Sequence, residues 1–171
     1  SDIKMAANDI RVLKSHYGVQ RFRTESNTTV GILPGDCVIR SGTSNRYMQL
    51  MLDGMPTQGT DIWVGVTRST STNTTAVDGV IDVEIIGPGT IIEGFAATPA
   101  NIDTDAELLT FLNQYVNFDR SAATVAGILT IDENETSAPA TLSLMILDGT
   151  DVVSGLVRAA CVNSSIWTGT M

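Results

Sequence analysis

The apolar residues of this chain come in short runs that are broken by Gly, Pro and Asp turns. Runs of roughly four to eight residues between such turns are typical of strands, and a turn about every ten residues favours a barrel or sandwich. The runs that we predict as strands lie at 37–40, 46–52, 62–67, 80–86, 90–96, 124–131, 140–147 and 152–162. The sequence therefore predicts a mainly β fold, a small β-barrel or sandwich of about eight short strands.

Three details of these runs carry further predictions. Gly65 lies in the middle of one run, where a β-bulge or a close approach of another backbone fits. A Gly-Pro-Gly turn at 87–89 separates two runs, so we expect residues 79–96 to form a hairpin. Residues 142–147 are mostly apolar on both faces, which is typical of a central strand or of one that another subunit covers.

One amphipathic helix interrupts the β pattern. Thr104 and Glu107 fit a capping box, in which the threonine hydroxyl accepts from a backbone N–H three residues on and the carboxylate reaches back. Leu108, Leu112 and Tyr115 then follow at the spacing of one helical stripe. We predict a helix over about residues 105–117 that packs this stripe on a sheet. A groove for a partner is the alternative interpretation of the stripe.

Charge is divided unevenly along the chain. Seven basic and four acidic residues precede residue 48, whereas three basic and fifteen acidic residues follow it, for a formal net charge of −9. An acidic body argues against nonspecific binding to nucleic acid or anionic lipid, because those contacts need clustered Lys and Arg. Charged residues make up 17% of the chain and the mean hydropathy is +0.14, which excludes disorder and fits a subunit that partners partly cover.

The basic residues near the N-terminus suggest a binding segment. Residues 1–29 show little periodicity and end in a polar run, so we predict an extended N-terminal arm followed by a single β domain over residues 30–171. We expect removal of residues 1–24 to leave that domain folded. The arm suits an acidic neighbouring protein, and ordinary solvated charge is the alternative. The candidate partner-binding residues are Lys4, Arg11, Lys14, Tyr17, Arg21 and Arg23.

Catalytic and metal-binding motifs are not recognisable in this sequence. His16, the only histidine, lies in the predicted arm, where no rigid surroundings would orient a catalytic imidazole. We therefore expect no enzyme, no cofactor and no metal site. The acidic run 132–135 is predicted to be a solvated turn, with a calcium site as the alternative. No run of about eighteen apolar residues is present, so we expect no membrane-spanning segment.

The cysteines and tryptophans each leave two interpretations open. Cys37 and Cys161 lie in apolar runs, which favours two buried thiols, with a disulfide as the alternative. Trp63 and Trp167 are predicted to be core or interface anchors, with a sugar-stacking platform as the alternative.

Three segments of the chain form a recognisable pattern: residues 31–38 (GILPGDCV), 63–66 (WVGV) and 78–85 (DGVIDVEI). Over about residues 30–96 this pattern resembles the small β-barrel decoration (cement) proteins of tailed bacteriophage heads. Those proteins place a Pro/Ala-Gly-Asp turn before a strand, a Gly-Val/Ala strand in the middle and a Gly-led strand afterwards.

The resemblance implies a non-enzymatic virion structural protein on the capsid exterior. Such a subunit binds the major capsid protein, bridges capsomers to stabilise the head, and often assembles as a homotrimer at threefold positions. The predicted arm departs from the family's pattern and would have to reach onto neighbouring subunits. A carbohydrate-binding or adhesin-like β module, a jelly-roll coat subunit and an enzyme are the alternatives.

Overall fold

The described residues of the protein fold into two antiparallel sheets and one short α-helix. The computed structural model describes residues 9–14, 17–41, 44–53, 61–135 and 144–162. The mainly β prediction is confirmed, with eleven strands in these ranges instead of about eight. In chain order the elements are β1 (Arg11–Lys14), β2 (Val19–Thr24), β3 (Cys37–Ser41), β4 (Ser44–Leu50), β5 (Asp61–Thr67), β6 (Gly79–Ile85), β7 (Ile91–Phe95), a 3₁₀ turn (Pro99–Asn101), α1 (Asp105–Phe111), β8 (Tyr115–Arg120), β9 (Leu129–Asp132), β10 (Leu144–Asp151) and β11 (Leu156–Cys161).

The two sheets pack as a sandwich. The six-stranded sheet has the order β1-β7-β11-β10-β8-β9, and the five-stranded sheet has the order β2-β6-β5-β3-β4. A parallel bridge between Ala96 and Ile131 brings the end of β7 next to β9. In the other sheet, the edge strands β2 and β4 contact each other. Both sheets are therefore curled, and the sandwich alternative describes the fold better than a closed barrel.

The first two strands form the edges of the two sheets. β1 pairs with β7, beginning with Arg11 opposite Glu93, and β2 pairs with β6, ending with Thr24 opposite Gly79. We call β1 and β2 the N-terminal ribbon. The arm predicted over residues 1–29 is corrected here, because the backbones of β1 and β2 satisfy their hydrogen bonds in the sheets. Residues 1–8 of that prediction lie outside the described residues.

The hairpin predicted for residues 79–96 is wrong. β6 and β7 lie in different sheets, so the turn around Gly87 and Gly89 carries the chain from one sheet to the other. The Gly-Pro-Gly signal correctly marked a turn. The pairing partners of the two strands are long-range, and the turn residues do not determine them.

The predicted helix is confirmed at its start and wrong at its end. Thr104 Oγ1 accepts from the Glu107 N–H at 3.3 Å, as the capping box requires. The helix stops at Phe111 because Asn113 adopts a positive φ of 62° and the chain then enters β8. Residues 115–117, predicted as helix, are therefore strand.

Two apolar cores hold the sheets together. The larger lies between the sheets around Trp63 and Phe118, whose ring centroids are 5.0 Å apart in an edge-to-face arrangement. The second lies inside the curl of the five-stranded sheet and includes Val38 and Val64. β3 and β5 contribute side chains to both cores, which explains why these strands are apolar on both faces.

The prediction for Gly65 is confirmed in both of its forms. Val38 pairs with Gly65 and Ile39 with Trp63, so Val64 is the extra residue of a bulge in β5. A methyl group on Gly65 would overlap the backbone carbonyl oxygen of Glu84 on β6. The missing side chain is therefore what allows β5 and β6 to lie side by side here.

Both cysteines are buried free thiols, the interpretation that the sequence favoured. Cys37 of β3 and Cys161 of β11 belong to the core between the sheets, and burial raises the pKa of each thiol. A protonated thiol in an apolar core behaves as a small hydrophobic side chain.

A buried ion pair joins the two sheets. Arg120 of β8 and Asp36, which precedes β3, have fully buried side chains, and Nη2 of the arginine contacts Oδ1 of the aspartate. Arg120 also donates at 2.7–3.2 Å to three backbone carbonyl oxygens, those of Met51, Thr124 and Gly127. Burial raises the pKa of Asp36 from 3.8 to about 6, against the opposing effect of the Arg120 charge.

The raised pKa of Asp36 predicts a stability that depends on pH. A carboxyl group that holds its proton more tightly when folded contributes most stability below pH 3.8, its unfolded value, and loses that contribution as pH rises through about 6. Asp36→Asn cannot ionise. In urea denaturation between about pH 4 and pH 7, we expect this variant to have a flatter stability profile than the wild type.

Arg120→Met is the matched variant for the other partner. It removes the donor to the Met51 and Gly127 carbonyl oxygens, although the Thr124 carbonyl oxygen still accepts from the Gly127 N–H, and it leaves Asp36 without a cation. We therefore expect a loss of about 3–5 kcal/mol in the free energy of unfolding. Asp36→Asn also leaves a buried charge without its partner, but it keeps the carbonyl contacts of Arg120 and an amide oxygen that can accept from the guanidinium, so its loss at pH 7 should be smaller. Equal losses in the two variants would contradict this account.

Candidate interaction surface

Of the predicted partner-binding residues on the six-stranded sheet, one forms an ion pair within the chain and one is exposed. Arg11 Nη2 donates to Glu93 Oε1 at 2.5 Å, whereas Lys14 is exposed at the end of β1. Tyr17 lies between the two ribbon strands with its ring against Gly87, and it is 39% exposed. A Cβ at residue 87 would overlap that ring, so the glycine and the tyrosine together shape the crossing between the sheets. Lys4 lies outside the described residues.

On the five-stranded sheet, the other two predicted residues lie along β2. Arg21 Nε donates to Asp82 Oδ1 at 2.9 Å, and this bond lowers the pKa of the aspartate. Arg23 is exposed, and so is Val19, with 50% of its surface accessible. The structure thus divides the candidate residues between two sheets: Arg11 and Lys14 lie on one, and Arg21 and Arg23 on the other.

The outer face of the six-stranded sheet carries a row of alternating charges. Arg11, Glu93, Arg158 and Asp148 pair in register across β1, β7, β11 and β10, and we call these four residues the charge ladder. The ladder faces outward because the alternating neighbours of these residues, such as Ile92, point into the core. Opposite charges on adjacent strands attract, so each member stabilises the next.

Hydrogen bonds hold the charge ladder in place. Arg158 Nη2 donates to Asp148 Oδ2 at 3.2 Å. Glu93 is only 1% exposed and accepts from Thr150 Oγ1 at 2.7 Å as well as from Arg11. The central carboxylate is therefore fully used inside the chain, and the guanidinium groups and Asp148 are the exposed parts of the ladder.

Apolar side chains lie beside the charge ladder. Ile91 and Ala160 form the next outward-facing pair, and Leu13 and Leu147 are 42% and 37% exposed. Both leucines lie where the register of their strand shifts. We call these four residues the apolar patch. A groove of about 340 Å³ is lined by Leu13, Ile91, Leu147, Asp148 and Arg158. Sequence reasoning missed both features because their members are far apart along the chain.

A second crevice opens between β1 and the five-stranded sheet. Its volume is about 270 Å³, and its apolar wall includes Ile10, Val12 and Val66. The rim is charged, and there Arg68 Nη1 donates to Glu84 Oε2 at 2.5 Å. Since Ile10 is otherwise part of the core, this crevice is an opening at the edge of the sandwich.

Glu133, in the acidic run 132–135, is buried and not solvated. This side chain is fully buried and accepts from the backbone N–H groups of Ala97 and Thr98 and from the Asn101 side chain, at 3.0–3.2 Å. Burial raises its pKa. The solvated-turn prediction is therefore wrong for Glu133, which fastens the loop after β7 to the end of β9.

The neighbouring carboxylates form an acidic cluster of Asp53, Asp119, Asp132 and Glu135. Partial burial, followed by the charges of the other members, raises the pKa of Asp119 and of Glu135. In the described ranges, no group of three or more His, Cys, Asp and Glu side chains is arranged to hold a metal ion. The calcium alternative therefore gains no support from this geometry.

Two further observations concern the remaining alternatives. Trp63 is fully buried, so it cannot stack on a sugar, and its predicted role as a core anchor is confirmed. Trp167 lies outside the described residues. None of the helices in the part of the chain that the structure describes has the length and apolar composition needed to span a bilayer.

Comparisons with known proteins return no match. The protein families, the curated proteins and the solved structures that were compared contain no match to this chain. The interpretation of function therefore depends on the residues and surfaces described above.

The N-terminal ribbon predicts that truncation is destructive. Removing residues 1–24 takes away one edge strand from each sheet and the core residue Ile10, so we expect the cooperative thermal transition in circular dichroism to be lost. Removal of residues 1–8 alone is the control and should preserve the transition. A cooperative melt of the longer truncation close to that of the full chain would refute the structural role of the ribbon.

Repulsion within the acidic cluster predicts a stabilising substitution. Asp119→Asn removes one of four like charges, so we expect a higher Tm at neutral pH and little change near pH 3, where the carboxyl groups are protonated. Asp148→Asn is the matched control, since it removes a charge that pairs with Arg158, and it should not raise the Tm. If both variants raise it equally, the gain reflects net charge alone.

Proposed function

We propose that this protein is a virion structural subunit, a decoration protein that binds the outside of a tailed-phage capsid and stabilises the head by bridging capsomers. The observation that carries the proposal is the placement of the three resembling segments. They contribute β3, β5 and β6, which are adjacent in the five-stranded sheet. Segments that are separate in sequence and neighbours in one sheet form one structural unit, as a resemblance to a small β-fold family requires.

The proposed role is structural and non-enzymatic, and its partners are the major capsid protein and further copies of this chain, with a homotrimer as the expected assembly. A subunit of this kind needs many modest contacts over a broad surface. The composition suits such contacts, because the chain has two Lys against eight Arg. Arginine's planar guanidinium loses less conformational freedom per hydrogen bond formed than the flexible lysine stem does.

Strand β2 is the surface that we assign to the particle. It lies at the edge of its sheet and has β6 as its hydrogen-bonded neighbour. Its exposed side chains combine an apolar residue, Val19, with the basic residue Arg23. Arg21 is already paired with Asp82, so Arg23 is the better candidate for an acidic group on the capsid.

Co-sedimentation with heads tests the proposal. The purified chain is mixed with heads of the tailed phage that encodes it, and we expect it to pellet at a fixed ratio to the major capsid protein. Arg23→Glu should weaken this binding because it reverses the charge at the assigned contact. Lys14→Glu, at the exposed end of β1 on the six-stranded sheet, is the control with a charge reversal away from β2, and it should bind like the wild type.

The outcomes separate the alternatives. A protein that never pellets with heads contradicts the proposal, and equal loss in the two variants contradicts the assignment to β2. A monomer that is retained on a glycan column and ignores heads would favour the carbohydrate-binding module instead.

A further inference from the structure

We propose that the outer face of the six-stranded sheet binds the same face of a second copy of this chain. The two copies are related by a two-fold axis that runs along the strands, midway between β7 and β11. The contact consists of the charge ladder and the apolar patch. This pairing goes beyond attachment to a capsid and does not depend on it.

The order of charges in the ladder makes the face complementary to the same face of a second copy. Four charges that alternate as plus, minus, plus, minus across adjacent strands change sign when the row is turned by 180° about its centre. The axis therefore sets Arg11 opposite Asp148 of the second copy and Glu93 opposite its Arg158. Arg11 and Asp148 are exposed and can pair directly across the contact, whereas Glu93 is buried in its own chain and supplies only the negative charge that Arg158 of the second copy faces. This order of charges is the self-complementarity that a two-fold interface requires.

The apolar patch obeys the same symmetry. Leu13 lies on β1 and Leu147 on β10, at equal distance from the axis, so each leucine faces the other type across the contact. Ile91 and Ala160, on the two central strands, also face each other across it. Covering these side chains removes apolar surface from water, which supplies the driving force that paired surface charges lack.

The exposed parts of the ladder are accessible to a second copy. The side chains of Arg11, Arg158 and Asp148 are 41%, 42% and 59% exposed. Sheets that pack face to face lie about 10 Å apart with their strands about 30° from alignment, a gap that long Arg side chains span.

The size of the face sets the expected strength of the contact. From β1 to β8 the five strands span about 19 Å at about 4.8 Å per strand. Its strands are four to eight residues long, so at about 3.3 Å per residue the face covers roughly 250–500 Å², which is less than the about 800 Å² per partner of a standard stable interface. We therefore expect a dimer that forms with increasing protein concentration.

Analytical ultracentrifugation over a wide concentration range tests the pairing. The wild type should show an even-numbered assembly that grows with concentration. Leu147→Glu places a charge in the apolar patch and should raise the dissociation constant about tenfold or more. Val153→Glu is the control, because Val153 is 82% exposed in the turn between β10 and β11, away from the patch. It should associate like the wild type.

Cross-linking tests the geometry of the axis. A mixture of Leu13→Cys and Leu147→Cys chains should form a heterodimer that a short bismaleimide cross-links, because sheets about 10 Å apart hold facing residues beyond the reach of a direct disulfide. A mixture of Leu13→Cys and Val153→Cys chains should form far less. The two natural cysteines are buried and do not compete.

Three results would overturn the inference: a wild type that remains monomeric or trimeric at every concentration, equal association of the Leu147 and Val153 variants, or equal cross-linking in the two mixtures. Attachment to the capsid is tested separately, by head binding and by Arg23 on the other sheet, although a strictly monomeric chain would also contradict the expected homotrimer. Either proposal can therefore fail while the other stands.

Discussion

The guanidinium of Arg120 fixes how the two sheets meet. It reaches from β8 in one sheet to Asp36 at the start of β3 and to the Met51 carbonyl after β4 in the other. Asp36 in turn makes two hydrogen bonds with Thr67. The Asp36 N–H donates to the Thr67 hydroxyl at 2.9 Å, and the Thr67 N–H donates to the Asp36 carbonyl oxygen at 2.8 Å. One buried cation thus holds the ends of three strands against β8. Its donors also satisfy the carbonyl oxygens of Met51 and Gly127, two buried residues.

The turn at Gly35 and Asp36, which precedes β3, also determines where the N-terminal ribbon begins. The Ile10 N–H donates to the Gly35 carbonyl oxygen at 2.6 Å, next to Asp36, and the Ile10 side chain is buried in the core. β1 starts at the following residue, Arg11, which is the first member of the charge ladder. The position of the ladder's outer cation therefore depends on a turn that the buried ion pair holds. Packing inside the sandwich is in this way connected to the chemistry of its outer face.

Features of this fold that depend on neighbouring residues were predictable from the sequence, and features that depend on long-range pairing were not. The capping box at Thr104 and the bulge at Gly65 follow from local chemistry, and both are confirmed. The helix end was missed because residues 115–117 pair with β10 and β9, a tertiary effect that overrides the helical spacing. Strands β1 and β2 were missed because most of their side chains are exposed, which leaves little apolar alternation to detect. The burial of Glu133 depends on the backbone of a loop more than thirty residues earlier in the chain.

The net negative charge of the chain favours self-association through the outer face of the six-stranded sheet. A chain of net charge −9 repels its own copies, so two copies meet most readily where the local charge cancels. The charge ladder cancels within itself, and the patch beside it is apolar. The acidic cluster has the opposite character, because its four carboxylates carry like charges and repel one another: Asp53, Asp119, Asp132 and Glu135. Two copies that approach cluster to cluster would add like charges, whereas two that approach ladder to ladder would pair opposite ones. The uneven charge seen in the sequence thus becomes, on the folded chain, a difference between a surface that opposes self-association and one that permits it.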